Sequence, residues 1–486
     1  MKLSPVILLA LLFALALSGC GGCFQNNKVV KPKAVTDSIT IDLPLSTFNI
    51  PVRYNLQNFE VWINQVIKGK FLETVINPLN DKRDEARLTL TKTGTIQISS
   101  NGKKLICLVP LQLEGVLVKS RMGKGLTSSA DTVFTTVNIE LSTPVSLDKN
   151  WNLVTAFEIE KLQWIKEPVF QIGPFKKNLT KKINEWLEEN EGMLTKIMDR
   201  EINKTVSMEP PLAKVWKDLQ KPIIIHKKQP NVWLTFNCES IEGKIVLGPS
   251  TITCETRVLA KTKIITDTTT MAEASPLPAY RLLKDASAES DIHLYAFTSF
   301  AEINEELNSQ LKEKTFNAEG YSLSIKGINA YASEAGLSIE ILTSRDVKGK
   351  LIASGKLEFD PETQSLMIRN FDYSVSSNNT LVNAGDMLLH QQVKDTIASR
   401  LIIGMRALID TVPQLVETAI AKGKSSDKID LEFDHLAVNR CEISMGAEGI
   451  HFVIHAEATA GILLKKLKPG KRLRIKKTQK KNTRAE

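Results

Sequence analysis

The side chains best suited to chemistry are few and scattered. Six histidines stand at 226, 293, 390, 435, 451 and 455. Only His451 and His455 have a spacing used by metal sites, because i and i+4 on a helix place two imidazoles on one face. Ile450, Phe452 and Ile454 alternate with them, however, and alternation is strand periodicity. Along a strand the two rings stand about 13 Å apart, too far to share one ion. The pair therefore reads as a solvent-facing or groove-facing strand edge, and no metal is expected. Gly423-Lys424-Ser425 ends like a phosphate-cradling loop, but Thr418 occupies the position where that loop needs its first glycine. Neither G-x-S-x-G nor G-x-G-x-x-G occurs, and no serine or carboxylate has a spacing that marks a triad. A chain without catalytic machinery or cofactor is the expectation.

One thiol has a definite chemical context. Residues 1–20 begin with a single positive charge, Lys2, continue through an apolar run from Pro5 to Leu17, and end in small residues before Cys20. The run is shorter than the ~20 residues a spanning helix needs, and the three-part layout is that of a secretory signal. Leu17-Ser18-Gly19-Cys20 resembles the lipobox of bacterial lipoproteins. That resemblance implies diacylation of the Cys20 thiol, cleavage before it and acylation of the new amine. The following residue is Gly21, not the aspartate that retains many lipoproteins at the inner membrane, which implies an outer-membrane lipoprotein facing the periplasm. Cys20-Gly21-Gly22-Cys23 as a redox or zinc pair lacks both a βαβ context and a second such pair. Of the other cysteines, Cys238 and Cys254 fall in one strand–loop–strand unit, where a disulfide and two buried thiols are both open readings.

The 486 residues carry a formal charge of +9, which invites a nucleic-acid reading until its distribution is examined. From residue 465 onward there are eleven Lys/Arg against Glu486 alone. Setting these and Lys2 aside leaves 51 basic against 53 acidic residues, so the body is close to neutral and nucleic acid is not an expected partner. The tail instead suits anionic headgroups. With 42% hydrophobic residues the body is a folded chain, and six cysteines are too few for a disulfide-built scaffold.

The elements that would position any site recur in one order, twice. In the first copy a strand at Ile39–Leu45 precedes a helix with Phe59, Trp62, Ile63, Val66 and Ile67 on one face. Strands follow, then a long helix over 175–206 and a hairpin over 232–265. The second copy runs from a strand at 292–299 through a helix bearing Phe300, Ile303, Leu307 and Leu311 to a long helix over 384–420 and a hairpin over 429–463. Leu234-Thr235-Phe236 aligns with Leu431-Glu432-Phe433, and both short helices carry Ile-Asn, at Ile63-Asn64 and Ile303-Asn304. The expected segments are a signal (1–19), an anchor and tether (20–37), two modules (38–270 and 285–464) and a basic tail (465–486).

This plan resembles the tubular lipid-binding superfamily of bactericidal/permeability-increasing protein. It implies an α+β fold of two tandem, pseudo-duplicated modules, each a long helix wrapped by a curved antiparallel sheet. The chain is also similar to a family of bacterial lipoproteins of comparable length, through Val215-Trp216-Lys217-Asp218-Leu219, Lys221-Pro222-Ile223 and Val232-Trp233-Leu234. Neither resemblance carries a catalytic residue. The expected function is an anchored periplasmic lipoprotein that holds or passes a lipid or other amphipathic molecule in helix–sheet grooves. Trp62, Ile63, Val66, Leu194, Ile197 and Met198 would line the first groove, and Leu401, Met405 and Leu408 the second. The alternative is a structural or assembly-scaffold lipoprotein with no small ligand.

Overall fold

The computed structural model describes residues 31–76, 85–119, 132–172, 175–189, 191–205, 209–226, 231–269, 273–318, 320–376, 380–422 and 429–464. Cys20 and the basic tail lie outside them. The chain divides into two compact units, each assembled from separate stretches. The larger takes the described residues within 43–294, 409–437 and 455–464, and the smaller those within 31–42, 295–408 and 438–454.

Alternating apolar and polar residues dominate the larger unit, and they build two antiparallel sheets. One has the order Glu158–Trp164, Thr132–Thr143, Leu105–Lys119, Glu85–Lys92, Lys70–Ile76, with Gln97–Ser100 also paired to Leu105–Lys119. Alternation turns Leu88, Leu90, Leu111, Leu113, Val137 and Ile139 to one buried face. The other sheet centres on the hairpin Val232–Leu247 with Thr251–Ile265, whose turn is closed by the Gly248 N–H donating to Thr251 O (2.8 Å). Val52–Asn55 adds to it, pairing antiparallel with Thr251–Cys254 on one side, while its Val52–Tyr54 pairs parallel with Ile462–Leu464 on the other. Cys238 lies opposite Ala260 and Cys254 opposite Ile245, so the two thiols are not cross-strand neighbours, and both are free.

The smaller unit is a meander of six strands, Thr315–Ala318, Tyr321–Ser333, Gly336–Arg345, Gly349–Asp360, Ser365–Ser376 and Ile403–Gly404, in that spatial order. Its core is Leu323, Ile325, Ile339, Ile341 and Leu351, covered by Leu389, Val393 and Ile397 of the helix Thr380–Arg400.

The long wrapped helices expected from the sequence are not there. Strand makes up 55% of the structure and helix 21%, so this is a mostly β protein with short helices, not a tandem helix-plus-sheet fold. In the first stretch residues Phe175–Asn178 are a strand, and the described helices are Thr180–Glu189 and Glu191–Thr205. The second stops at Arg400 and resumes at Arg406. There Ile403–Gly404 leaves the helix to pair with Ser365–Leu366, and the Met405 N–H donates to Gln364 O (2.8 Å). A sheet edge that offers backbone partners competes directly with the helix's own hydrogen bonds. Likewise Ile39–Leu45 is not a strand; the first described strand is Ser46–Asn49.

Both units use a short helix to satisfy a strand edge. In the larger, Leu56–Val66 is capped by Asn55, whose side chain accepts from the Gln57 N–H (2.7 Å). Asn64 then grips Ile96 with its amide, donating to Ile96 O and accepting from Ile96 N–H, both at 2.8 Å, while Glu60 accepts from Ile98 N–H (2.9 Å). In the smaller, Phe300–Leu311 starts with a Ser299/Glu302 capping box. Asn304 grips Ala330 and Asn308 grips Ile328 in the same two-way manner. Four residues of helix rise about 6 Å and two residues of strand nearly 7 Å. Side chains at i and i+4 therefore meet alternate residues of an edge.

Candidate functional site

The helix Thr180–Glu189 lies over the inner face of the larger unit's five-strand path and leaves a narrow cleft. Ile183 and Leu187 are buried on that face, and Trp186, half-buried, forms the rim with Trp164. From the sheet come Leu72, Thr74, Leu88, Leu90, Leu113 and Val137. The free space is about 280 Å³, mouth included. The part that a water-sized sphere can enter is only about 10 Å³, room for about one water, so the cleft is nearly closed and must open to admit the end of a chain. Thr74 is the sole polar lining residue. Trp164 is fixed by its indole N–H, which donates to Asn184 Oδ1 (2.9 Å). An apolar lining without charge or nucleophile offers burial and no bond-making.

The residues singled out from the sequence stand elsewhere. Trp62, Ile63, Leu194 and Met198 are in the same core cluster but packed shut, each at most 4% exposed, with Val66 partly buried against them. Phe59 stacks on Trp62 with ring centroids 5.4 Å apart. Leu401 is buried in the smaller unit's core and Met405 is half-buried beside the helix break. The side chains of Ile197 and Leu408 lie outside the described residues. Sequence periodicity found the covered face of these helices. It missed the cleft, whose signal was the pair Trp164 and Trp186 flanking a strand end and a helix.

His451 and His455 lie on the strand Gly449–Leu464, as their alternation implied. His451 is not solvent-facing, however. It is buried, with Nδ1 2.9 Å from the Tyr295 hydroxyl and the Phe297 ring 4.8 Å away. His455 packs edge-on against His293, centroids 4.5 Å apart. Among the described residues no group of His, Cys, Asp and Glu is arranged to hold a metal ion. Nor is any described helix long and apolar enough to cross a membrane.

A polar cluster in the smaller unit went unnoticed in the sequence. His390 Nε2 is 2.9 Å from Asp372 Oδ1, its Nδ1 is 3.5 Å from Asp386 Oδ2, and its ring stacks on Tyr373 at 4.2 Å. The Tyr373 hydroxyl donates to Asp386 Oδ1 (2.8 Å). Burial pushes the Asp386 carboxyl above its ordinary range, and burial together with Asp386 raises the Tyr373 hydroxyl. Every polar group here is turned to another member, so the cluster fastens the helix Thr380–Arg400 to the strand Ser365–Ser376. Asp386 and His390 at i, i+4 were its visible trace.

Trp216, central to the family resemblance, is likewise structural. It is buried among Trp151, Cys238, Ile241, Val258 and Ala260, and its indole N–H donates to Ser275 O (3.1 Å). Gln220 ties the same carbonyl to the helix end (3.1 Å).

The chain belongs to the family described as Domain of unknown function (DUF4403), whose family model matches residues 44–464. No protein of curated function matches it. Among solved structures, a lipopolysaccharide binding protein is similar at 9% identity, covering 88% of this chain and 100% of that one, with a TM-score of 0.29.

Proposed function

We propose that this chain is a non-catalytic lipoprotein of the cell envelope that takes up the end of an acyl chain, or a similar amphipathic tail, in the cleft beneath the helix Thr180–Glu189. The observation that carries this reading is the cleft's lining, nine apolar side chains and one threonine. Each methylene moved from water into such a lining gains ~0.8 kcal/mol, and no lining group imposes a headgroup. The anchor in this reading is acylated Cys20 at the outer membrane, and it rests on the sequence of residues 1–20.

The test is Trp quenching by acyl chains brominated near their ends, using Cys20→Ser protein so that no attached lipid interferes. Trp164 and Trp186 report from the cleft, and Trp186→Phe removes one reporter. Saturable quenching that falls in this variant supports uptake, as does lipid recovered by mass spectrometry from the purified chain. Absence of both favours a structural or assembly role without a ligand, a reading that the closed packing around Trp62, Ile63 and Met198 supports.

A further inference from the structure

We infer that the larger unit carries a docking face for an anionic lipid surface, formed by residues 165–169, the lysines of 176–182 and Phe134. It does not depend on whether the cleft holds a ligand.

Charge is the first observation. Residues 165–182 hold five lysines (166, 176, 177, 181 and 182) and one acid, Glu167, in a body that is otherwise slightly acidic; Lys181 is 3.8 Å from Glu185, one of three acids further along the helix Thr180–Glu189. Exposed apolar area is the second. Phe134, Ile165 and Val169 are 53%, 66% and 40% exposed.

Backbone geometry brings them together. The Ile165 N–H donates to Thr136 O (3.0 Å), and the Thr135 hydroxyl donates to Lys166 O, so residues 165–166 extend the strand Glu158–Trp164 along Thr132–Thr143. Trp164 pairs with Val137 on the cleft side. Alternation sends Ile165 to the opposite side, together with Thr136 and Phe134, while Thr135 and Val137 are buried. Val169–Ile172 and Phe175–Asn178 then form a two-stranded sheet of their own, with Val169 opposite Asn178 and Gln171 opposite Lys176. This register puts Val169 and Lys176 on one face of the hairpin and Lys177 on the other, so the lysines rim it on both sides. The Leu179 N–H closes the base on Pro168 O (2.9 Å), and the Asn178 amide donates to Glu167 (2.6 Å). Lys181 and Lys182 follow at once, in the first turn of the next helix.

Isolated two-stranded hairpins are marginal in water, and this one presents Val169 beside exposed lysines. No arginine occurs in 165–182. Lysine is a point charge on a flexible stem, without the planar fork that selects one carboxylate geometry. Such a set matches a fluid array of phosphates better than a fixed acidic protein face. Apolar side chains that enter the headgroup layer would add to the attraction.

Hydrogen exchange of the Cys20→Ser chain, with vesicles of phosphatidylcholine alone or mixed with phosphatidylglycerol, tests this. Amides of 165–169 and 176–178 should gain protection with the mixed vesicles only, and lose it as salt screens the lysines. K166Q/K176Q/K177Q should weaken vesicle binding on the order of a hundredfold at low salt, about fivefold per lysine. I165S/V169S should weaken it in a salt-independent way. Binding that leaves those amides unchanged would assign the contact to the basic tail and overturn the proposal. So would a triple variant that binds like the parent, or a chain that binds neither vesicle.

Discussion

Replacing Asn64 by leucine tests whether the helix Leu56–Val66 holds the strand edge through hydrogen bonds or merely through its apolar face. Asn64 donates to Ile96 O and Glu60 O and accepts from Ile96 N–H, at 2.8, 2.9 and 2.8 Å. Ile96 is fully buried. Leucine keeps the size and adds apolar area, so a packing-only role predicts little change or a small gain. The hydrogen-bond account predicts a loss. Ile96 N–H and O are both stranded in the core, and each such group costs ~1–3 kcal/mol. Allowing for partial relaxation, Asn64→Leu should cost about 2–4 kcal/mol. A 3 kcal/mol loss lowers the unfolding midpoint of a unit this size on the order of 6–12 °C.

Asn64→Asp sharpens the test. A carboxylate can still accept from Ile96 N–H, but it faces two carbonyl oxygens and cannot donate. Its folded pKa is then raised above the unfolded value. The variant's stability is thus greatest below the unfolded pKa and is lost as pH rises through the folded one. The readouts are urea unfolding followed by fluorescence and exchange of the Ile96 and Ile98 amides, which reports on this edge even if the two units unfold separately. Exposed Val61→Ser is the control, expected within about 0.5 kcal/mol of the parent. Asn64→Leu within that same range, or Asn64→Asp without acid recovery relative to the parent, would refute the reasoning.

Met198→Ala should cost ~2–5 kcal/mol in unfolding experiments yet leave acyl-chain quenching at Trp164 unchanged, because Met198 is core and not cleft. Asp386→Asn should stabilise the smaller unit at neutral pH. Burial raises the folded pKa of Asp386, so the parent loses stability as pH rises from the ordinary aspartate range, and urea midpoints of the two should converge in acid. Gly336→Ala should destabilise its hairpin by at least ~1–3 kcal/mol, since φ is +105° and a Cβ would sit 2.6 Å from Gly355 O; urea unfolding measures it. Burial pushes the Cys107 thiol up to about 12 and Cys254 up to about 11. Both should resist a thiol reagent in the native chain and react on unfolding, with no Cys238–Cys254 bridge on non-reducing peptide maps.

The sequence by itself determined what local patterns can encode. Alternation marked the outer ends of the hairpin, Val232 and Ile265, but set its turn near 242–244, six residues before the turn between Leu247 and Thr251, and helical spacing found the face of Phe59, Trp62 and Ile63. The repeated Ile-Asn was visible too, but its use was not: whether an asparagine grips a strand depends on which edge comes within 3 Å. The long helices were overcalled for the same reason. An apolar stripe continues through Leu401 and Met405, and only the distant edge at Gln364 and Leu366 diverts that backbone into pairing. The cleft needs Leu72, Val137, Trp164 and Trp186, far apart in the chain, to meet across three strands and a helix. Composition and periodicity report which side chains seek burial, because that preference belongs to each residue alone. Which of them close on each other and which leave a gap is settled by strand register and by competition for backbone hydrogen bonds, and those are properties of the assembled chain.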